Sequence, residues 1–287
     1  MRKLQILFDE AEPSALPDDA YAPYGNLGFP VPPADRPWTF ANFVQSIDGV
    51  ASFLGKHPSG GDIARSAEDK WVMQLLRAHA DAIIMGLGTL IGETLARPDL
   101  NGGRGPVYQV EDPVLRDLRR KLGRKREKVV FVTASARLKP ADYRIFDGDQ
   151  VDAFVLTTRA GAARLAGSAA EVLVAGEEGA VDLLQALRLL RRRLGVEYLL
   201  CEGGPTLYGS MSRAGLMDEK FVTVSPLEIG LIIPPGQEPS AAEKLNPPRE
   251  RPTTFAAPGF TWETAPWWQW MSCRRAGDHA FHRYRRK

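Results

Sequence analysis

Short apolar runs alternate with helical segments along much of this chain, and this alternation limits its fold more than any other feature. The runs Ala82 to Met85, Val129 to Val132 and Val172 to Val174 are continuously apolar and too short to be helices. The segment Val181 to Leu194 has strong helical periodicity and leads to another predicted strand, Glu197 to Leu200. Strands without a polar face are buried on both sides, as in parallel sheets with crossover helices. We therefore predict an α/β fold with a mostly parallel central sheet and helices on both faces.

The two ends of the chain have different patterns. Residues 11–37 contain seven prolines, which do not suit a helix interior or a central strand. We therefore predict that residues 1–37 form a Pro-rich arm and that residues 38–287 form one domain. Near the C-terminus, Trp267 to Cys273 and His279 to Arg285 predict a terminal hairpin, which gives the sheet an antiparallel C-terminal edge.

Composition excludes several classes of protein. The net charge of +2 is too small to favour nucleic acid as a partner. No run of about 18 apolar residues is present, so we expect no membrane contact, and we expect the protein to be cytoplasmic. The two cysteines, Cys201 and Cys273, lie far apart in sequence, which is typical of a reducing compartment. No Cys-x-x-Cys motif occurs, and we expect no metal site.

The segment Glu202 to Leu207 carries the strongest functional signal. Gly203 and Gly204 directly follow a predicted strand and allow a ligand to approach the backbone, while Pro205 suits the first turn of a helix. The free N–H groups of Thr206 and Leu207 in that turn would favour a diphosphate. The alternative is a tight strand-to-helix turn without a ligand.

Two further strand ends carry ligand-type residues. Gly86, Gly88 and Thr89 form a turn after a strand, although Ile91 stands where a dinucleotide fingerprint has its third glycine. A third strand is followed by two hydroxyl side chains and a guanidinium, and such a set suits the 2′-phosphate that distinguishes NADPH from NADH. Because ligands of open α/β sheets gather at the carboxyl ends of strands, these turns predict one dinucleotide site. The residues after the third strand are Thr133, Ser135 and Arg137. The alternative for them is that the two hydroxyls cap a turn and the arginine is solvated.

The apolar segment Trp38 to Val44 predicts a buried strand that ends in Ser46-Ile47-Asp48-Gly49. An Asp beside a Gly is typical of a turn. Together with Asn42, however, Ser46 and Asp48 could present polar groups to a substrate at the same edge of the sheet.

Three blocks of this sequence resemble the pyrimidine reductase family of riboflavin biosynthesis. They are Asn42 to Gly49, Ser66 to Leu90 and Glu202 to Glu219, and the similarity continues in order to Arg286. The resemblance implies a dihydrofolate-reductase-like fold, NADPH as cofactor, a phosphorylated pyrimidine substrate and a homodimer. It implies hydride transfer that converts the ribosyl side chain of a phosphoribosylamino-pyrimidine into a ribityl chain.

The resemblance also assigns roles by position. Asn42, Ser46, Arg77 and Glu202 would face the substrate, with Arg77 suited to its phosphate; the alternative for Arg77 is a cation that stabilises a helix end. Asp48, Glu93 and Glu202 are the candidate catalytic carboxylates. The cofactor contacts would be Gly86, Gly88, Thr89, Thr133, Ser135, Arg137, Gly203, Gly204, Pro205, Thr206 and Leu207.

The sequence departs from the family on the substrate side. Members often have Asp-Asp-Pro after the Gly-x-Gly-Thr turn, whereas this chain has Gly92 to Pro98, in which Glu93 could replace the first carboxylate. Two alternatives therefore stay open. One is a related NADPH-dependent reductase of a pterin-like or other heterocyclic substrate, and the other is a non-catalytic nucleotide-binding homologue.

Overall fold

The computed structural model describes residues 4–52, 60–230 and 260–287, and within them one sheet of ten strands runs through the molecule. The predicted loop Pro234 to Pro252 lies outside the described residues. Seven α-helices are described, together with three 3-10 helices at Asp18–Tyr21, Pro140–Asp142 and Arg144–Asp147. The strands are β1 (Gln5–Asp9), β2 (Trp38–Ser46), β3 (Ala82–Gly86), β4 (Lys128–Val132), β5 (Asp152–Thr157), β6 (Glu171–Val174), β7 (Tyr198–Cys201), β8 (Glu219–Ser225), β9 (Trp268–Ala276) and β10 (His279–Arg286). The helices are α1 (Gly60–Ala64), α2 (Ala67–His79), α3 (Leu87–Ala96), α4 (Pro113–Lys121), α5 (Arg159–Arg164), α6 (Leu183–Leu194) and α7 (Pro205–Arg213).

The strand order is β1-β9-β10-β8-β2-β7-β3-β4-β5-β6. All pairs from β8 to β6 in this order are parallel. The pairs β8–β10, β10–β9 and β9–β1 are antiparallel. The mixed sheet with an antiparallel C-terminal edge, predicted from the sequence, is therefore confirmed.

Successive residues of the central strands enter two separate cores, one on each face of the sheet. Phe40 and Met85 pack with the buried side of α2 on the first face. Ala41 and Ile84, their immediate strand neighbours, pack with α6 and α7 on the second face. Side chains alternate across a strand, so a continuously apolar strand supplies both cores at once. The prediction of helices on both faces is confirmed.

Local signals in the sequence account for where two of the helices begin. Ser66 to Asp69 has the pattern of a capping box, which predicts a helix that ends near His79. The Ser66 hydroxyl accepts a hydrogen bond from the Asp69 N–H at 3.2 Å and caps α2, which ends at His79. The predicted helix Val181 to Leu194 begins two residues later, at Leu183. The reason is that the Asp182 carboxylate caps it by accepting from the Gln185 N–H at 2.9 Å.

The N-terminal arm packs on the antiparallel half of the sheet. Its strand β1 pairs with β9, while Tyr21 and Leu27 are fully buried in the first core. Arg274 of β9 donates to the Asp9 carboxylate at 2.5 Å and to the Tyr24 carbonyl at 2.9 Å. Within the described residues, therefore, the arm is bound to the sheet by backbone pairing, apolar contact and buried charge.

None of the helices in the described parts of the chain is both long enough and apolar enough to span a bilayer. Clusters of three or more His, Cys, Asp or Glu side chains arranged for a metal ion are also absent from these parts.

Candidate active site

The carboxyl ends of four neighbouring parallel strands meet at one edge of the sheet. These strands are β2, β7, β3 and β4, and the segments that follow the last three contain the predicted cofactor residues. Asn42 lies within β2, on the face of the sheet that it shares with Phe40. The order of the strands thus brings together sequence segments that are far apart along the chain.

The tips of β3 and β7 are joined by backbone hydrogen bonds. The Gly86 N–H donates to the Gly203 carbonyl at 2.8 Å, and the Glu202 N–H donates to the Ile84 carbonyl at 3.1 Å. Gly203 has φ +95°, a conformation that strongly favours glycine. A Cβ added to Gly204 would lie 3.6 Å from the Thr89 hydroxyl, so the two segments form one floor with few side-chain atoms.

Helices α3 and α7 begin on this floor, and their N-termini lack side-chain caps. The residues that precede them, Gly86 and Gly204, provide no capping hydrogen bond, and no acidic residue lies in either first turn. The predicted Gly86-Gly88 turn is therefore the beginning of α3. Other helix N-termini are capped by side chains that accept backbone hydrogen bonds, namely Ser66, Asp112, Thr158 and Asp182. The free N–H groups of α3 and α7 leave two adjacent positive helix ends for an anion.

The predicted residues of these two turns differ in how far a ligand can reach them. Gly88, Pro205 and Thr206 are exposed, and a Cβ on Gly88 would meet nothing within 4 Å. The Leu207 side chain is 7% exposed and packs in the second core. Leu207 can therefore contact a ligand only through its backbone.

The segment after β4 holds the third predicted set. The Thr133 hydroxyl accepts from the Ala136 N–H at 3.1 Å, which is the turn-capping role that the sequence left open. Ser135 and Arg137 are exposed. Arg164 of α5 donates to the Ser135 carbonyl at 2.9 Å and brings a second guanidinium to this segment. No sequence signal singled out Arg164, because its approach depends on the packing of α5 beside β4.

Arg77 of α2 and Glu202, which follows β7, form a buried ion pair beside the floor. The Arg77 Nε and Nη2 atoms donate to the two oxygens of Glu202, each at 2.7 Å. Both side chains are only 10% exposed. The two predicted substrate residues are thus brought together, and each is the main electrostatic partner of the other.

Glu93 lies beside this pair. Burial raises the pKa of the Glu93 carboxyl, and the negative charge of Glu202 raises it further, whereas the cations Arg97 and Arg77 and the Tyr108 hydroxyl lower it. The net effect is a pKa above the ordinary value, so Glu93 holds a proton at higher pH than a solvated carboxyl. Tyr108 was not predicted from the sequence, which offered no motif around it.

Asp48 is held by groups of the protein itself. Its carboxylate accepts from the Ile229 and Gly230 N–H groups at 3.2 and 2.7 Å, and the Ser46 hydroxyl also donates to it. The hydrogen bond from Ser46, together with those from the backbone, lowers the pKa of Asp48 to about 2. Asp48 is therefore an acceptor at neutral pH, and it ties the end of β2 to the segment after β8.

Glycine-rich strand tips, two uncapped helix ends and a buried ion pair lie together at the carboxyl edge of the parallel strands, which is the edge where α/β proteins of this class bind their ligands. The model of the family described as the RibD C-terminal domain matches residues 37–247, and the chain belongs to this family. The family predicted from the sequence is confirmed.

Two curated relatives support this assignment. Both are named 2,5-diamino-6-ribosylamino-4(3H)-pyrimidinone 5′-phosphate reductase. The protein from Archaeoglobus fulgidus is 32% identical over 199 residues, covering 68% of this chain and 83% of the relative. The protein from Methanothermobacter thermautotrophicus is 29% identical over 202 residues, covering 68% and 80%.

Solved structures share the fold. A pyrimidine reductase-like protein from Corynebacterium diphtheriae superposes with a TM-score of 0.62 at 21% identity, covering 95% of this chain and 96% of that one. The riboflavin biosynthesis reductase of Saccharomyces cerevisiae gives a TM-score of 0.57 at 14% identity, covering 89% and 92%. These two alignments cover more of the chain than the family model does, so the similarity in fold is not limited to residues 37–247.

Proposed function

We propose that this protein is an NADPH-dependent reductase that converts the ribosyl side chain of a phosphoribosylamino-pyrimidine into a ribityl chain, a reaction of the riboflavin biosynthesis type. The curated relatives carry the name of such a reductase. The observation that carries the proposal in this chain is the joined floor of β3 and β7, because the uncapped first turns of α3 and α7 begin there and the Glu202–Arg77 ion pair lies at the tip of β7.

The residues at the floor fit a dinucleotide diphosphate. Gly86 and Gly204 are partly exposed and carry no side chain that would cover the backbone, and the uncapped first turns of α3 and α7 supply N–H donors. Gly203 is buried and contributes by joining the tips of β3 and β7. Thr89 and Thr206 would add hydroxyl donors. These residues would hold the diphosphate of NADPH without any cation at the floor itself.

The 2′-phosphate would lie at the segment after β4. Ser135, Arg137 and Arg164 combine a hydroxyl with two guanidinium groups there, and a guanidinium can bind two phosphate oxygens at once. Thr133 holds this segment in place through its hydrogen bond to the Ala136 N–H. This arrangement would favour NADPH over NADH.

When bound, NADPH supplies the hydride for the anomeric carbon of the substrate in its open imine form. The C=N double bond then becomes a single bond, and the amine nitrogen needs one proton. Glu93 is our candidate donor, because burial raises its pKa above the ordinary carboxyl value and so lets it keep its proton to higher pH. Arg77 and Glu202 would orient the phosphate and hydroxyl groups of the substrate, with Asn42 and Ser46 at its other end. Asp48 would stay ionised and hold the segment after β8.

We also propose a homodimer. The outer strands carry an aromatic cluster in which Phe8 packs edge-on against Trp270 at 4.4 Å and Trp270 donates to His282 at 3.1 Å. Trp270 is 47% exposed although it is large and apolar. A second copy would cover this surface.

The proposal is tested by titrating the protein with NADPH and NADH and by measuring NADPH oxidation with 2,5-diamino-6-ribosylamino-4(3H)-pyrimidinone 5′-phosphate. We expect NADPH to bind at least tenfold more tightly than NADH, and Arg137→Ala with Arg164→Ala to remove most of this preference. Arg159→Ala is the matched control, because Arg159 is also an exposed cation of α5 but pairs with Glu177 at 2.7 Å. Tight NADPH binding without turnover would favour a non-catalytic homologue, and turnover with a pterin alone would favour the other alternative.

A further inference from the structure

Basic residues from two distant parts of the chain meet in one groove of about 690 Å³. Lys125, Arg126 and Lys128 come from the segment that leads into β4, and Arg193 comes from the last turn of α6. The first residue of each of the strands β4, β5 and β6 lines the groove. The groove therefore lies at the amino edge of the parallel strands, opposite the carboxyl edge with the candidate active site.

The sheet and α6 together give this groove an apolar wall. Phe154 of β5 is buried in the second core, and Leu194, the last residue of α6, packs against the same core. Phe146, just before β5, is buried in the first core. We call these three residues, all of which line the groove, its apolar wall.

Three of the cations in the groove have no counter-charge. Arg126 pairs with Asp152, with 3.4 Å between Nε and Oδ1. The side chains of Lys125, Lys128 and Arg193, by contrast, make no ion pair within the described residues. We call these three side chains the unpaired cations. A concave surface lined mainly by one sign of charge concentrates ions of the opposite sign, so the groove attracts anions.

We propose that this groove binds a phosphorylated small molecule, with its phosphate on the unpaired cations and its organic part on the apolar wall. A guanidinium can bind two phosphate oxygens at once, and the two ammonium groups add point charges around the same group. The groove has the volume of a small-molecule site, which is about 300–1,000 Å³. Glu171 lines it as well, and its negative charge favours a ligand with a single phosphate over a polyphosphate.

The first test locates the binding of a simple probe, phenyl phosphate, by NMR of the ¹⁵N-labelled protein. We expect saturable shifts of the amide signals of residues 125–128, 152–154 and 193–194. Phenyl phosphate should bind more tightly than inorganic phosphate, because its ring covers part of the apolar wall. The signals of Gly88 and Gly204 report separately on the floor at the opposite edge, where a phosphate can also bind.

The second test removes two of the unpaired cations. Lys128→Gln combined with Arg193→Gln should weaken phenyl phosphate in the groove about tenfold. Lys121→Gln combined with Arg188→Gln is the matched control, because it removes the same residue types and the same charge. Both control cations pair with carboxylates, at 2.9 and 3.0 Å, and neither lines the groove.

Glu171→Gln tests the same charges in the opposite direction. Removing this acid should tighten phenyl phosphate about threefold, because the phosphate no longer meets a like charge. Equal weakening in the control pair, shifts confined to the floor, or equal affinity for phenyl and inorganic phosphate would overturn the proposal. None of these measurements needs turnover, so they decide the groove independently of the proposed function.

Discussion

Arg77 and Glu202 lie 125 residues apart in sequence, yet they form one of the most enclosed ion pairs at the candidate active site. A buried charge is tolerated when a partner neutralises it and fills its hydrogen bonds, and two bonds of 2.7 Å do so here. Burial raises the pKa of the neighbouring Glu93 carboxyl, the charge of Glu202 raises it further, and the charge of Arg77 lowers it. The two members of one ion pair therefore stabilise the fold and shift the pKa of their neighbour in opposite directions.

Replacing Glu202 by glutamine should therefore have two separable effects. The free energy of unfolding should fall by about 3 kcal/mol, because Arg77 stays buried without a counter-charge. The kcat value should fall as well, because the substrate loses an orienting group. Urea unfolding and steady-state kinetics measure the two effects.

Asp218→Asn is the matched control for Glu202→Gln. Arg36 donates to both oxygens of Asp218, at 2.6 and 2.7 Å, and the side chains are 18% and 12% exposed. This variant should lose comparable stability and keep the wild-type kcat. Equal kcat in the two variants would mean that Glu202 has no role beyond the fold.

The sequence placed Arg77 and Glu202 in the same site but did not predict that they bind each other. A resemblance assigns roles by position along the chain, whereas pairing depends on how two side chains extend from α2 and from the tip of β7. Tyr108 was missed for a related reason: a positive φ and a buried hydroxyl distinguish it, and neither is visible in the order of residues.

At the scale of elements, the positions of strands and helices follow local sequence signals more closely than the pairing of side chains does. The buried strands were predicted because a continuously apolar run of three or four residues fits a strand with two covered faces. The beginning of α2 was predicted because Ser66 is a strong capping residue. The beginning of α3 was taken for a turn, because a helix that lacks a capping side chain has no signal at its N-terminus.

Gly88 in the first turn of α3 allows the role of this uncapped end to be tested. A carboxylate at this position is favoured by the helix dipole, and a side chain there meets nothing within 4 Å. Gly88→Asp should therefore keep or raise the free energy of unfolding. It should weaken NADPH at least tenfold, because the new charge repels the diphosphate.

Gly88→Ala separates charge from volume in this experiment. It should stabilise α3 by up to about 1 kcal/mol and change NADPH affinity less than aspartate does. Calorimetric titration and urea unfolding give both quantities. Wild-type NADPH affinity in Gly88→Asp would show that the diphosphate does not lie at the N-terminus of α3.

At the scale of the whole molecule, the N-terminal arm and the C-terminal hairpin hold each other in place. Arg283 and Arg285 of β10 both bind Glu219 of β8, and Arg285 also binds Glu12 of the arm at 2.5 Å. The prolines of the arm predicted irregular backbone, but composition gave no indication that this backbone packs on the sheet. Our division at residue 37 stays a prediction about domains, and it passes through a continuous core.

Removing residues 1–11 tests how far the fold depends on the arm. The truncation deletes β1 and leaves Arg274, whose side chain is 1% exposed, without Asp9. We expect the free energy of unfolding to fall by about 3 kcal/mol or more, because a buried cation loses its counter-charge and β9 loses its neighbour. Leu7→Gln is the control: Leu7 is 53% exposed, and the change should stay within about 0.5 kcal/mol.

The same truncation should leave NADPH affinity unchanged, because β9, β10 and β8 separate β1 from β2 in the sheet. Urea unfolding gives the stability, and fluorescence titration with NADPH gives the affinity. A truncated protein as stable as the wild type would mean that the arm is an appendage, as a domain boundary at residue 37 implies. A lower affinity with the fold intact would mean that the sheet transmits the loss of its edge strand to the strand tips that bind the cofactor.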